Sequence, residues 1–189
     1  MKHTILVATT NPGKMRELAE MFSELAREIE WHSLRDYPNT SEVEEDGATF
    51  ADNAAKKAMG YASQTGLWTI ADDSGLVVDA LDGWPGVHSA RFATEGGGKL
   101  PRHEQDVLNN RKVLGLLKGI PQEKRSARFV CCMCLASPTE LLIQTEGKIE
   151  GQIIDTPRGE NGFGYDPLFY VPALGKTTAE LSGEHKNTI

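Results

Sequence analysis

The chain begins its fold with TILVATTNPGKMRELAEMF, residues 4–22. Residues 4–8 form a short β-branched and apolar run, which predicts a strand. Residues 9–13 have the composition of a tight loop. From Met15 onward apolar residues recur at helical spacing, and this pattern predicts an amphipathic helix with its apolar stripe turned inward. The chain is therefore expected to open with a strand, a loop and a helix.

The remaining sequence alternates between strand-like and helix-like segments. The patterns predict strands over 29–34, 68–71, 76–80, 127–136, 141–146 and 147–154, and helices from Phe50 to a cap at Gly66 and over 104–118. Helices alternate with strands in the first part, and an antiparallel meander follows. This order predicts an α/β fold with a mixed sheet and helices packed on it.

Composition excludes several classes of protein. The 189 residues are 39% hydrophobic and 25% charged, which is ordinary for a globular chain and unlike disordered, collagen-like or membrane chains. The net charge of -7 excludes bulk attraction to nucleic acid. The longest apolar run, 129–136, is far below the roughly 20 residues that span a bilayer. We expect no nucleic-acid and no membrane partner.

The N-terminus and the cysteines favour the cytoplasm. Residues 5–8 are too short for the apolar region of a signal peptide, so the mature protein is expected to start at residue 1. Cys131, Cys132 and Cys134 crowd into one apolar run, whereas disulfide frameworks bracket loops. We expect all three to be reduced core residues.

The loop after the first strand is the first candidate ligand site. It consists of Thr9, Thr10, Asn11, Pro12, Gly13 and Lys14 at a predicted helix start. The N–H groups and dipole of a helix start attract anions, and Lys14 adds a full charge. The loop is not a Walker loop, because it lacks the upstream glycine and Met15 replaces the hydroxyl residue. Two interpretations stay open: a phosphate cradle, or an ordinary helix cap with an exposed lysine.

Acidic residues form the second candidate site. Asp72 and Asp73 follow an apolar strand, and adjacent carboxylates there require a cation or hydrogen-bond donors to compensate their repulsion. Mg²⁺ fits, since it takes one or two carboxylates and completes its shell with water and phosphate oxygens. The alternative is a polar turn over 72–75. The acidic run 42–46 either supplies a further carboxylate or is merely solvated.

A glycine-rich segment, 159–167, is the third candidate site. Its glycines let the backbone approach a ligand closely, and Phe163 between two of them could stack on a nucleotide base. A tight structural loop with no ligand has the same composition.

Several segments, taken together and in order, resemble the family of inosine/xanthosine triphosphate pyrophosphatases. These segments are Thr9-x-Asn11-x-x-Lys14, Glu45-Asp46-Gly47 with Thr49-Phe50 and Asn53-Ala54, Ala71-Asp72-Asp73-Ser74-Gly75-Leu76, 86–92, 162–167 and Glu184-x-Lys186-Asn187. The resemblance implies a single domain over 1–189 with a long central mixed sheet, flanking helices and two lobes around an active-site cleft. It also implies a homodimer that uses Mg²⁺ to hydrolyse ITP, dITP and XTP to the nucleoside monophosphate and pyrophosphate.

The same resemblance assigns roles to residues. Asp73 is expected to be the general base and a metal ligand, and Glu45 the second carboxylate at the metal, with Glu44, Asp46 and Asp72 as alternatives. The residues expected to bind substrate are Thr9, Thr10, Asn11, Pro12, Gly13 and Lys14 at the triphosphate, Ser74 beside Asp73, Phe163, Gly164, Tyr165 and Asp166 at the purine, and Lys186 at its 6-keto edge.

Two other functions are compatible with the sequence. One is a pyrophosphatase of pyrimidine or modified nucleotides with a similar phosphate loop. The other is a catalytically silent nucleotide-binding protein, because the family continues past Asn187 with Ser-His-Arg and a closing helix. By this resemblance the 189-residue chain is expected to lack the family's C-terminal end.

Overall fold

The computed structural model describes residues 3–9, 15, 28–94 and 100–186. Its strands are β1 (His3–Val7), β2 (Ile29–Ser33), β3 (Trp68–Val78), β4 (Ser126–Ala136), β5 (Leu141–Ile153), β6 (Phe169–Val171) and β7 (Lys176–Thr177), and its α-helices are α1 (Phe50–Thr65), α2 (Arg102–Leu116) and α3 (Gly183–Lys186). The described strands form one sheet in the order β2-β1-β3-β4-β5-β6-β7. Strand β1 pairs in parallel with β2 and β3, whereas β6 pairs antiparallel with β5 and β7. The predicted mixed sheet with helices is confirmed.

Two predicted breaks between strands are wrong. Strand β3 runs without interruption through 72–75, where a turn was one interpretation, and β5 runs through Gly147. Gly75 serves close packing and not a turn, because a Cβ atom there would lie 2.3 Å from the Ser89 hydroxyl oxygen. The third predicted helix is also displaced, since α2 covers residues 102–116 and not 104–118.

Local sequence signals determine where helix α1 begins and ends. Thr49 caps its N-terminus in a capping box with Asp52: the Asp52 N–H donates to the Thr49 hydroxyl and the Thr49 N–H donates to the Asp52 carboxylate. Gly66 ends it in the left-handed conformation, at φ 73°, which a residue without a side chain adopts at little cost. The buried face contains Phe50, Asn53, Ala54, Ala58, Tyr61 and Ala62.

The chain divides into two compact units whose boundaries fall within β3, β4 and β5. Unit 1 consists of Met1–Asp73 and Cys131–Glu146, and unit 2 of Ser74–Val130 and Gly147–Ile189. Unit 2 has its own apolar core, which includes Leu76, Val78, Phe92, Val113, Leu117, Ile153, Leu168 and Phe169. The predictions of a single domain and of a cleft between lobes stay predictions.

The cysteines correct one expectation. All three lie in the described strand β4, where Cys132 and Cys134 are buried but Cys131 is exposed. Successive strand residues point to opposite faces, so neighbouring cysteines cannot all enter the same core. Burial raises the pKa of the Cys132 thiol to about 12, with a smaller contribution from Glu146.

Within the described part of the chain, no helix has the length and apolar character needed to cross a membrane.

Candidate functional site

Asp73 is bonded to the first turn of α1. The amide nitrogen Nδ2 of Asn53 donates to Asp73 Oδ2 at 3.0 Å, and Asn53 is only 1% exposed. The oxygen of the same amide, Oδ1, accepts the backbone N–H of Gly47 at 2.7 Å. Asn53 thus joins Asp73 on β3 to the segment that precedes α1. A Cβ atom at position 47 would lie 2.7 Å from that oxygen, so this contact requires glycine.

The acidic residues before Gly47 bind two different lysines of α1. Glu45 forms an ion pair with Lys57 at 3.2 Å, and only 15% of the Lys57 side chain is exposed. Asp46 instead pairs at 2.6 Å with Lys56, whose side chain is three times as exposed, at 45%. The bond from Lys56 lowers the pKa of the Asp46 carboxyl, and exposed pairs of this kind contribute little to stability. Lys57 lies one helical turn after Asn53, so Glu45 and Asp73 contact the same helix face.

The end of β1 lies next to β3 in the same unit. Val7 is in register with Ile70, and the N–H of Ala8 donates to the Ile70 carbonyl at 2.8 Å. Thr9 follows at once, and its carbonyl accepts the N–H of Leu34 at 3.2 Å. The carboxyl end of β1 therefore lies beside Ile70, three residues before Asp73 on β3. The predicted phosphate loop begins at Thr9, directly after this point.

In unit 2, Asp166 organises the glycine-rich loop. Its carboxylate is buried, and Oδ2 accepts the backbone N–H of Phe163 at 2.9 Å and the Lys186 ammonium at 2.5 Å. The other oxygen, Oδ1, accepts the hydroxyl of Thr178 at 2.9 Å. A Cβ atom at position 162, where φ is 78°, would lie 2.0 Å from Oδ2. Gly162 is therefore required both for its backbone conformation and for the close approach of this carboxylate.

The Phe163 ring is the exposed apolar group of this loop. It is 51% exposed, although large aromatic side chains are usually well buried. The Arg102 guanidinium carbon lies 4.6 Å from the ring centroid, and the Lys186 ammonium nitrogen lies 4.9 Å from it. Two cations therefore contact the ring, while about half of its surface stays accessible to a ligand.

Tyr165 supports the loop from inside unit 2. Its ring is 4% exposed, and its hydroxyl donates to the Ser89 carbonyl at 2.9 Å. Burial raises the pKa of this phenol, and the nearby Asp106 carboxylate adds to the effect. The hydroxyl of Ser89 in turn accepts the Leu76 N–H at 2.8 Å. The predicted segment 86–92 therefore links the loop to strand β3 within unit 2.

Comparison with known proteins decides the family. A model of the Ham1 family matches residues 5–189. The chain belongs to the Ham1 family. It is 50% identical over 185 residues to a dITP/XTP pyrophosphatase of Desulforamulus reducens, covering 98% of this chain and 88% of that protein. It is 48% identical to a dITP/XTP pyrophosphatase of Geobacillus kaustophilus, covering 98% of this chain and 86% of that protein.

A solved structure gives the same assignment for the fold. A HAM1 protein from Coxiella burnetii superposes with a TM-score of 0.87 at 39% sequence identity, covering 99% of this chain and 91% of that chain. The resemblance recognised from the sequence segments is therefore confirmed for the family and for the fold.

The structure brings some of the predicted Ham1 site residues together and leaves others outside its described range. Phe163, Asp166 and Lys186 form one contact group in unit 2, while Asp73 and Glu45 bind the same face of α1 in unit 1. Ser74 lies on β3 and is exposed. Glu44 lies in the acidic segment 42–46 and is exposed too. Thr10, Asn11, Pro12, Gly13 and Lys14, together with the helix predicted after them except Met15, lie outside the described residues.

No role was predicted for the residues that hold the predicted site residues in place, although Asn53 lies in one of the segments that carry the family resemblance. Asn53 and Lys57 on α1 contact Asp73 and Glu45, and Asp106 and Asn110 on α2 contact the loop at Gly164. A signal was available for Asn53, because this polar residue interrupts the apolar stripe on the buried face of α1. A polar residue at such a position requires a bonding partner.

Asp73 and Glu45 are the predicted residues of unit 1 that could hold a hard divalent cation. Asp73 and Glu45 offer carboxylate oxygens, which Mg²⁺ prefers. No group of three or more His, Cys, Asp or Glu side chains suited to a metal occurs among the described residues. A cation here would take its remaining ligands from water and phosphate, as Mg²⁺ commonly does.

Proposed function

We propose that this protein hydrolyses non-standard purine nucleoside triphosphates, dITP, ITP and XTP, to the nucleoside monophosphate and pyrophosphate. The observation that carries the proposal is the match, over nearly the whole chain, to proteins named dITP/XTP pyrophosphatase at up to 50% identity. The contacts of Asp73 suit work on a phosphate, and the exposed Phe163 ring suits a nucleotide base.

Asp73 is the proposed general base. A carboxylate that takes a proton from water must be held in a fixed orientation within reach of the reacting phosphorus. The bond from Asn53 fixes one carboxylate oxygen, and the bond from Gly47 to Asn53 fixes the amide in turn. Proton transfer of this kind contributes about 10²- to 10⁴-fold to a rate.

Neutralisation of the triphosphate is proposed to come from Lys14, the loop that starts at Thr9, and Mg²⁺ at Asp73 and Glu45. A protein of net charge -7 repels a polyanion at long range, so local positive charge is needed. Mg²⁺ held by these carboxylates would supply positive charge that offsets the charge of the phosphates. Lys57 is paired with Glu45 and so holds that carboxylate in place without adding net positive charge.

The loop over Phe163 is proposed to select the base. The exposed ring provides a stacking surface worth about 1 to 3 kcal/mol per base. An ammonium group has three N–H donors, so Lys186 can bond to Asp166 and to a 6-keto oxygen at the same time. Adenine presents an amino donor there, and two opposed donors cost about 1 to 3 kcal/mol. The backbone of Gly164 is proposed to contact the purine beside Phe163, and the buried Tyr165 and Asp166 to hold this part of the chain in place.

The remaining parts of the proposal concern assembly and location. The family resemblance leads us to propose a homodimer that acts in the cytoplasm. The acidic net charge supports the absence of a nucleic-acid partner.

A substrate panel with Mg²⁺ tests the proposal. Pyrophosphate release from dITP, ITP, XTP, dGTP, ATP, dTTP and UTP would be compared at equal concentrations. The proposal expects dITP, ITP and XTP to be the best substrates by kcat/KM. Turnover of dTTP or UTP at least equal to that of ITP would contradict the purine assignment, and binding of ITP without hydrolysis would indicate a silent nucleotide-binding protein.

A further inference from the structure

One face of helix α2 contacts the backbone of the glycine-rich segment 159–167, here called the Phe163 loop. The Gly164 N–H donates to Asp106 Oδ2 at 2.9 Å, and the Asn110 amide nitrogen donates to the Gly164 carbonyl at 2.8 Å. Arg102, one turn earlier, is the residue whose guanidinium lies over the Phe163 ring. Positions 102, 106 and 110 are spaced by four residues and therefore lie along one helix face.

These external bonds add to the contact between Asp166 and Phe163 inside the loop, because the two glycines beside Phe163 leave its backbone conformationally free. Gly162 and Gly164 both have positive φ, at 78° and 60°, and glycine loses more conformational freedom on ordering than any other residue. Both polar backbone groups of Gly164 bond to α2, so the helix determines the orientation of the residue next to Phe163. The bond to a charged acceptor, Asp106, is the stronger type of contact.

We propose that Asp106 and Asn110 are positioning residues that keep the Phe163 loop in the conformation that receives the base. This inference rests on the proposed function. The two side chains bond the backbone of Gly164 and need no contact with the nucleotide. Their contribution is preorganisation: a loop already ordered loses less entropy when the base binds, so affinity rises without a new contact to the ligand.

Variants of Asp106 test the proposal. Asp106→Ala is expected to raise KM for dITP about tenfold and to change kcat less than about twofold, because a hydrogen bond to a charged group is lost away from the phosphates. Asp106→Asn keeps an oxygen acceptor for the Gly164 N–H and is expected to restore most of the affinity. Asn110→Ala should raise KM in the same direction. Glu104→Ala, an exposed acidic residue on the same helix, is the matched control and should leave KM unchanged.

Hydrogen exchange in the absence of nucleotide gives a second readout. Exchange of amides in residues 162–166 should accelerate in Asp106→Ala and Asn110→Ala but not in Glu104→Ala or Asp106→Asn. Faster exchange with unchanged KM would overturn the proposal, and so would a fall in kcat at constant KM. A wild-type protein that releases no pyrophosphate from dITP would instead overturn the proposed function, while the exchange data would still decide whether Asp106 holds the loop.

Discussion

The Asp73 carboxylate in unit 1 and the Phe163 loop in unit 2 are both held by polar side chains of a neighbouring helix. In unit 1 the held group lies on strand β3, and Asn53 reaches it from the first turn of α1. In unit 2 the held group is an irregular loop, and its ring stays 51% exposed. The proposed general base, Asp73, thus lies on a regular strand, whereas the proposed base-binding surface is a loop that is held by hydrogen bonds from α2.

Mutations in the two regions are therefore expected to change different kinetic constants. Changes to Asp73, or to Asn53 that bonds to it, should lower kcat, because Asp73 is proposed to take the proton from the attacking water. Changes in the Phe163 loop should raise KM, because the loop is proposed to bind a part of the substrate that does not react.

The largest effect is expected for Asp73→Asn. This substitution keeps the size of the side chain but removes the proton acceptor, so kcat should fall by about 10²- to 10⁴-fold. Pyrophosphate release from dITP measures the rate, and calorimetry measures nucleotide binding by the same variant. A variant with more than about a tenth of wild-type kcat would remove Asp73 from the role of general base.

Asn53→Ala should have the next largest effect. It removes the donor to Asp73 and the acceptor for Gly47, and kcat is expected to fall about 10- to 100-fold with KM changed less than about threefold. Gln64→Ala is the matched control, because Gln64 is an amide on the same helix that bonds both backbone groups of Ser41. If the two variants lose activity equally, Asn53 has only a general role in stability.

Phe163→Ala should weaken substrate binding more than it slows the reaction. Loss of base stacking worth about 1 to 3 kcal/mol predicts a 5- to 150-fold rise in KM for dITP, with a smaller change in kcat. Since the ring is half exposed, the melting temperature should hardly change. Phe163→Tyr keeps the stacking surface and should behave like the wild type. A fall in kcat at constant KM would contradict the proposed division between the two regions.

The smallest effect concerns the cysteines of unit 1 and tests how firmly its strands are packed. At pH 8, iodoacetamide should label Cys131 before Cys132, because Cys131 is exposed and the pKa of the buried Cys132 thiol is raised to about 12. The unfolded thiol has an ordinary pKa of about 9, so this group contributes stability that is complete below pH 9 and is lost as pH rises towards 12. Equal labelling of both thiols at pH 8 would show that strand β4 opens readily.

Much of the fold was predictable because its signals are local. The run at 4–8 and the capped helix from Phe50 to Gly66 follow from strand composition, a helix cap and a left-handed glycine. The continuity of β3 through Gly75 was not predictable, because Gly75 is required by its contact with Ser89, which is distant in sequence. Local composition cannot distinguish a glycine of this kind from one in a turn.

Asp73 and Phe163 were candidates from their local sequence, and Glu45, Asp166 and Lys186 followed from the family resemblance; the roles of all five stay predictions. The residues that position them were not predicted. Asn53 does give a local signal, as a polar residue on the inward face of α1. Asp106 and Asn110 give none, because each acts on Gly164, more than fifty residues away in the chain.

The most direct test of the central claim is to hydrolyse dITP with Mg²⁺ in ¹⁸O-labelled water and to identify the products by mass spectrometry. The proposed attack of water on the phosphorus nearest the nucleoside predicts dIMP that carries one ¹⁸O atom, together with unlabelled pyrophosphate. Release of dIDP and orthophosphate, or of unlabelled dIMP with labelled pyrophosphate, would contradict it.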